Sequence, residues 1–213
     1  MRLIPLIAAA LSLFASAPSF AQDWIEYDNK VDFFSVNLPG QPKVRDITYR
    51  TEYDIALPGR VYTAEKGPSR YSVTVVDFKD AEKIHAERVR SCKAGGGDGD
   101  LCNDHGRADL RGAMIFAAWN LMNREGKVIH YVYTNADRVE GAEVHLANAD
   151  GTRTFASIFM HDNRLYILDG TVPKNAPPPV VFQQSMGFLD KEGKRIRYDT
   201  PYSNGFPAPR RVR

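Results

Sequence analysis

Apolar and polar residues alternate with a period of two over most of this chain, the signature of half-buried β-strands. Trp24 to Tyr27 is a short alternating segment that predicts an edge strand, and Asp28-Asn29-Lys30 turns after it. Val31 to Leu38 carries Val31, Phe33 or Phe34, Val36 and Leu38 as its apolar set. It predicts a strand with one buried face, stopped by Pro39-Gly40-Gln41-Pro42. Thr48 to Ala56 alternates weakly and predicts a strand with a polar face. Pro58-Gly59 signals a turn, and Arg60 to Ala64 resumes as a strand. Tyr71 to Phe78 is dense in β-branched and aromatic residues, the strongest strand pattern of the first half.

The period then lengthens. Asp80 is placed to cap a helix that runs to about Ser91, with Ala81, Ile84, Val89 and Cys92 as its apolar stripe. The run Gly95-Gly96-Gly97-Asp98-Gly99-Asp100 ends it. From Arg107 to Asn123, Leu110, Met114, Ala117 and Leu121 fit one helix face, and Ile115, Ala118, Trp119 and Met122 fit another. Apolar residues on most sides predict a largely buried helix. A buried strand over Gly112 to Trp119 is the alternative; the abundance of Ala, Leu and Met favours the helix.

Lys127 to Val172 reads as four consecutive strands joined by tight turns: Val128–Thr134, Val139–Ala147, Thr152–Met160 and Arg164–Leu168. Such short connections require antiparallel neighbours. The prolines Pro177, Pro178 and Pro179 precede a short helical segment, Val180 to Met186, that Gly187 can cap. Phe188-Leu189 docks next, Lys194 to Tyr198 predicts a last short strand, and residues 200–213 read as a flexible tail. The expected fold class is α+β: one antiparallel sheet of about six to eight strands flanked by two or three helices, in a single domain over residues 22–199.

The early strand Phe34-Ser-Val-Asn-Leu-Pro39, the meander ending Arg164-Leu-Tyr-Ile-Leu168, and the helix carrying Phe182 and Ser185 before Phe188 come in a telling order. That order resembles the family of the photosystem II extrinsic protein PsbP, whose fold is shared by a Ran-binding nuclear import factor. The resemblance implies an antiparallel sheet flanked by helices. Because that family includes non-enzymatic assembly and binding proteins, it also implies binding rather than catalysis. It transfers no functional residue, since fold does not specify function.

The N-terminus changes the picture of where the protein works. Arg2, the apolar run Leu3 to Ala15, and small residues around Ser19-Phe20-Ala21 have the layout of a cleaved secretory signal over residues 1–21. The expected location is periplasmic or secreted, with no transmembrane segment in the mature chain. Removing Arg2 from a chain of formal net charge +2 leaves about +1. That weak field argues against nucleic acid as a partner. The two cysteines, Cys92 and Cys102, in an exported chain predict a disulfide. Closing a loop of about eleven residues would stabilise by roughly 2–3 kcal/mol.

Candidate chemistry is sparse. Asp98 to Asp104 lacks the glycine and the distal acid of an EF-hand loop at the required spacing. Ser185 lies in Gln-Gln-Ser-Met-Gly, which lacks the first glycine of a nucleophile elbow. His130, His145 and His161 fall on three successive predicted strands and would converge on a metal if their registers aligned. Trp119, Tyr131 and Tyr133, with Phe116, would line a ligand pocket beneath a helix. No cofactor is expected. The leading expectation is a non-enzymatic binding or assembly domain with an unknown protein or small-molecule partner in the cell envelope. The alternative is a metal-dependent or hydrolytic enzyme using the strand histidines.

Overall fold

The computed structural model describes residues 24–99, 101–204 and 206–212. The segment expected to be a signal peptide lies outside the described residues. In chain order the elements are β1 (Ile25–Asn29), β2 (Phe34–Leu38), β3 (Lys43–Arg50), β4 (Ala56–Lys66), β5 (Ser69–Asp77), α1 (Ala81–Ala94), α2 (Gly106–Met122), β6 (Gly126–Ala136), β7 (Val139–Asn148), β8 (Arg153–His161), β9 (Arg164–Val172), α3 (Val180–Gln183), β10 (Gly187–Leu189), β11 (Arg195–Tyr198) and β12 (Arg211–Val212). They make a seven-stranded sheet, ordered β3-β4-β5-β9-β8-β7-β6, and a five-stranded sheet, ordered β1-β2-β10-β11-β12. All the strand pairs within them are antiparallel. The architecture is the α+β class expected, with two sheets where one was foreseen.

The seven-stranded sheet is covered on both faces. Val76, Ile158, Met160 and Leu165 point to a core roofed by Leu110, Ala113, Ala117 and Leu121 of α2. Val73, Val75, Phe159, Tyr166 and Leu168 point the other way, against Phe34, Val36, Phe188 and Ile196 of the five-stranded sheet and Phe182 of α3. The tight turns after β6 and β8 place Asp137, Arg138, Asp162 and Asn163 at positive φ. Two successive left-handed residues match the right-handed twist of paired strands.

Four expectations from the sequence change. The polar strand lies at Lys43–Arg50 and not from Thr48 to Ala56. Residues 51–55 turn instead, with Asp54 at positive φ and the Thr51 amide donating to the Ile55 carbonyl at 3.0 Å. Pro58-Gly59 sits inside β4 rather than in a turn. A Cβ at Gly59 would stand 2.7 Å from the Val75 carbonyl oxygen, so the glycine marks a close approach between strands. The helix over residues 106–122 forms, but it is not largely buried: Ile115 is 68% exposed and Trp119 56%. Part of the segment expected to be a flexible tail, residues 200–213, is packed around Tyr202. Tyr202 is buried, forms a parallel bridge with Val139, and stacks on Tyr198 with ring centroids 5.0 Å apart.

Buried polar groups tie the layers. Asp32, in the turn between β1 and β2, accepts from the Arg60 guanidinium through both carboxylate oxygens and from the Tyr62 hydroxyl. The Tyr166 hydroxyl donates to the Asp32 carbonyl at 2.9 Å. Asp109 of α2 takes the Thr51 hydroxyl at 2.5 Å and lies 2.9 Å from His85 Nε2 of α1, joining both helices to the β3–β4 turn. Cys92, in α1, and Cys102, just before α2, are joined as a disulfide, with Cα atoms 5.6 Å apart. Ser185 is structural: its hydroxyl accepts from the Asn37 amide at 2.7 Å and donates to the Phe182 carbonyl at 2.8 Å.

Asp32 is the buried carboxylate that the Arg60 guanidinium and the Tyr62 hydroxyl both meet. Asp32→Ala should lower the unfolding free energy by about 3 kcal/mol, held below the largest values because Arg60 remains partly hydrated. Tyr62→Phe, which removes one hydrogen bond and keeps the ring, should cost about 1 kcal/mol. Urea unfolding of both variants checks the ranking, and equal losses would contradict it.

Candidate binding surface

The two edges of the seven-stranded sheet differ in chemistry. At β3, four of the eight residues are charged: Lys43, Arg45, Asp46 and Arg50. Charges on an edge strand oppose pairing with another chain. At the other edge, β6 has eleven residues and one charge, Lys127, near its start. Among the described residues β6 pairs with β7 alone, so its outer row of backbone N–H and C=O groups faces outward.

Register decides which side chains β6 presents. Val128 lies opposite Leu146, Tyr131 opposite Val144, and Tyr133 opposite Ala142. Leu146 and Val144 belong to the core beneath α2, so Val128, Tyr131 and Tyr133 share that face. An irregularity between Val128 and His130 then turns His130 toward His145, and Val132 toward Glu143, on the other face. Both faces stay open: Tyr133 is 61% exposed, Ile129 59%, Tyr131 48% and Val132 39%. Gly126, at φ 139°, starts the strand because a Cβ there would meet the Ala147 carbonyl oxygen at 2.5 Å. On α2, just before β6, Phe116 and Trp119 stack with centroids 6.1 Å apart; Trp119 is exposed and Phe116 half-buried. A contiguous apolar edge of this kind marks a contact surface.

The aromatic candidates Trp119, Tyr131 and Tyr133 therefore stand at the surface, where the sequence placed them in a pocket. The sheet register could not be read from the sequence, and neither could the fact that β6 ends the sheet.

The three histidines do not meet. His130 and His145 are cross-strand neighbours, with ring centroids 5.0 Å apart, and His145 Nε2 lies 2.5 Å from Glu143 Oε1. His145 pairs with Phe155 on β8, and His161 lies six residues further along that strand. At about 3.3 Å per residue this is about 20 Å away, too far to share one ion. Among the described residues, no group of three His, Cys, Asp or Glu side chains could hold a metal.

His161 instead belongs to the core. It is buried beside Phe188 and Tyr202, and its Nε2 lies 2.7 Å from the Tyr198 hydroxyl. Burial pushes its pKa down to about 4, with Asp162 opposing and Arg211 and Arg164 assisting. The folded state thus holds a neutral imidazole, while the unfolded chain protonates near 6.5. Stability is complete above that value and falls as pH drops from 6.5 towards 4, by about 3 kcal/mol from this group. Urea unfolding between pH 7 and pH 4 should show a steeper loss in the natural chain than in His161→Gln. Equal slopes would contradict this assignment.

No protein-family model and no curated protein matches the chain. Among solved structures it is similar to cyanobacterial PsbP (CyanoP) from Synechocystis sp. PCC 6803, seen in solution. The identity is 12% and the TM-score 0.41, with 83% of this chain and 99% of that chain covered. That similarity assigns this chain no family, activity or partner.

Proposed function

We propose that this protein is an exported, non-enzymatic binding or assembly domain of the cell envelope. Its partner is another protein that adds an extended segment to the free edge of β6. The observation that carries this reading is the contrast between the two sheet edges. One is guarded by charge, and the other is eleven residues long, exposes Val128, Ile129, Tyr131, Val132 and Tyr133, and carries one charge. Strand addition satisfies the outward backbone groups, and side chains on each face set the specificity. Export rests on the N-terminal pattern of Arg2, the apolar run and the small residues before Gln22, and on the paired cysteines. The described residues contain no helix long and apolar enough to cross a membrane. The enzyme reading through His130, His145 and His161 loses its three-ligand geometry, because the strand register sets His161 about 20 Å from the other two.

A photo-crosslinking residue at position 133, compared with one at Val44 on β3, tests the edge. Crosslinks in an envelope extract should form from position 133 to one defined segment of a second protein. Amide exchange of the complex should then show new protection along β6. Val132→Lys with Tyr133→Lys should abolish both, leaving the melting temperature within a few degrees, as surface changes normally do. Equal crosslinking from β3, absence of protection on β6, or a dimer of this chain through β6 would overturn the proposal.

A further inference from the structure

The helix-side face of the seven-stranded sheet changes character beside the last turns of α2. Under the helix it is apolar, with Val76 and Leu165 in the core. Along β5 the same face continues as Thr74, Ser72 and Arg70, and along β9 as Ile167, Asp169 and Thr171, because side chains two apart share a face. α2 lies over β7, β8 and the near part of β9, leaving this half of the sheet uncovered. The result is a groove of about 480 Å³, walled by Asn120 and Leu121 of α2 and floored by the strands.

Three guanidiniums line it, those of Arg45, Arg70 and Arg124, against one carboxylate, Asp169. Asp169 is already engaged: Arg124 reaches it at 2.6 Å and the Thr171 hydroxyl at 3.1 Å. Among the described residues, Arg45 and Arg70 have no ion pair. The Tyr49 hydroxyl, also in the groove, is buried beside the Asn120 side chain. Burial pushes its pKa up to about 12, with Asn120 opposing, so it keeps its proton. Two uncommitted guanidiniums and the hydroxyls of Ser72 and Thr74 form a donor-rich concavity with a surplus of positive charge. That is the composition of a small-ligand site with a few converging polar groups. Guanidiniums are also the donors best shaped to hold carboxylate or phosphate in two-pronged fashion.

We infer that this groove binds a small organic oxyanion, a polycarboxylate or a phosphoryl compound, with its charged end on Arg45 and Arg70 and its neutral part against Ser72 and Thr74. The site is separate from the β6 edge and does not depend on the partner proposed there.

Calorimetric titration with citrate and with pyrophosphate, and sedimentation with phosphatidylglycerol vesicles, test it on the natural chain. At least one soluble probe should bind with a submillimolar Kd and shift the amide resonances of residues 70–74. Arg45→Gln with Arg70→Gln should weaken it at least tenfold. Lys191→Gln with Lys194→Gln, which removes as much charge elsewhere, should leave it unchanged. Vesicle binding lost in the arginine double variant would identify the oxyanion as a lipid headgroup; soluble binding alone would identify a free anion. No binding by any probe, or equal weakening by the arginine and lysine variants, would overturn the assignment.

Discussion

The pairing of β5 with β9 is the constraint on which the rest depends. It sets Val73 opposite Leu168 and Val75 opposite Tyr166 on one face, and Val76 opposite Leu165 on the other. Each strand must feed two cores at once. A slip of one residue would exchange them, putting Thr74 and Ser72 against the five-stranded sheet and Val73 and Val75 beneath the helices. That double burial fixes the register, and the register fixes where every other strand side chain emerges. β5 and β9 are joined through 86 residues of intervening chain, so the joint closes late in sequence terms and holds both halves together.

With both faces committed, the sheet can meet another molecule only at its edges or at uncovered ends of a face. The fold uses these remnants unequally. β3 is guarded by charge, while β6 is not. α2 is too short to roof the whole helix-side face, and the uncovered part is polar rather than apolar. An uncovered apolar patch would have invited aggregation; a lining of arginines and hydroxyls does not. The edge and the groove therefore arise from the same shortage of cover, one apolar and one cationic.

Buried polar groups also divide by how completely they are met. Asp32 is satisfied on both carboxylate oxygens and its main chain, and it fastens the smaller sheet to β4 and β9. Asp109 keeps one carboxylate oxygen without a partner beside His85. The Tyr49 hydroxyl is buried beside the Asn120 side chain. Satisfied groups specify the fold, and the guanidiniums of Arg45 and Arg70, without an ion pair among the described residues, point outward to a ligand.

Local pattern determined much of this. Alternation placed the four strands from Lys127 to Val172, the strong strand at Tyr71 to Phe78, and the closing Phe188-Leu189, because period-two burial is written residue by residue. Helix-forming composition was enough to choose a helix over Arg107 to Asn123, where α2 runs from Gly106 to Met122. The pattern misplaced the polar strand, because the turn at residues 51–55 depends on Thr51 reaching Asp109, 58 residues away. It read Tyr202 as part of a loose end, because the pocket that buries it is built from β7, β8 and β11. Above all, sequence alone could not decide whether His130, His145 and His161 meet, whether Tyr131 and Tyr133 are buried, or which strands end the sheet. Those are matters of register and strand order between segments far apart in the chain, and only tertiary packing, by burying one set of faces and leaving another without a neighbour, decides them.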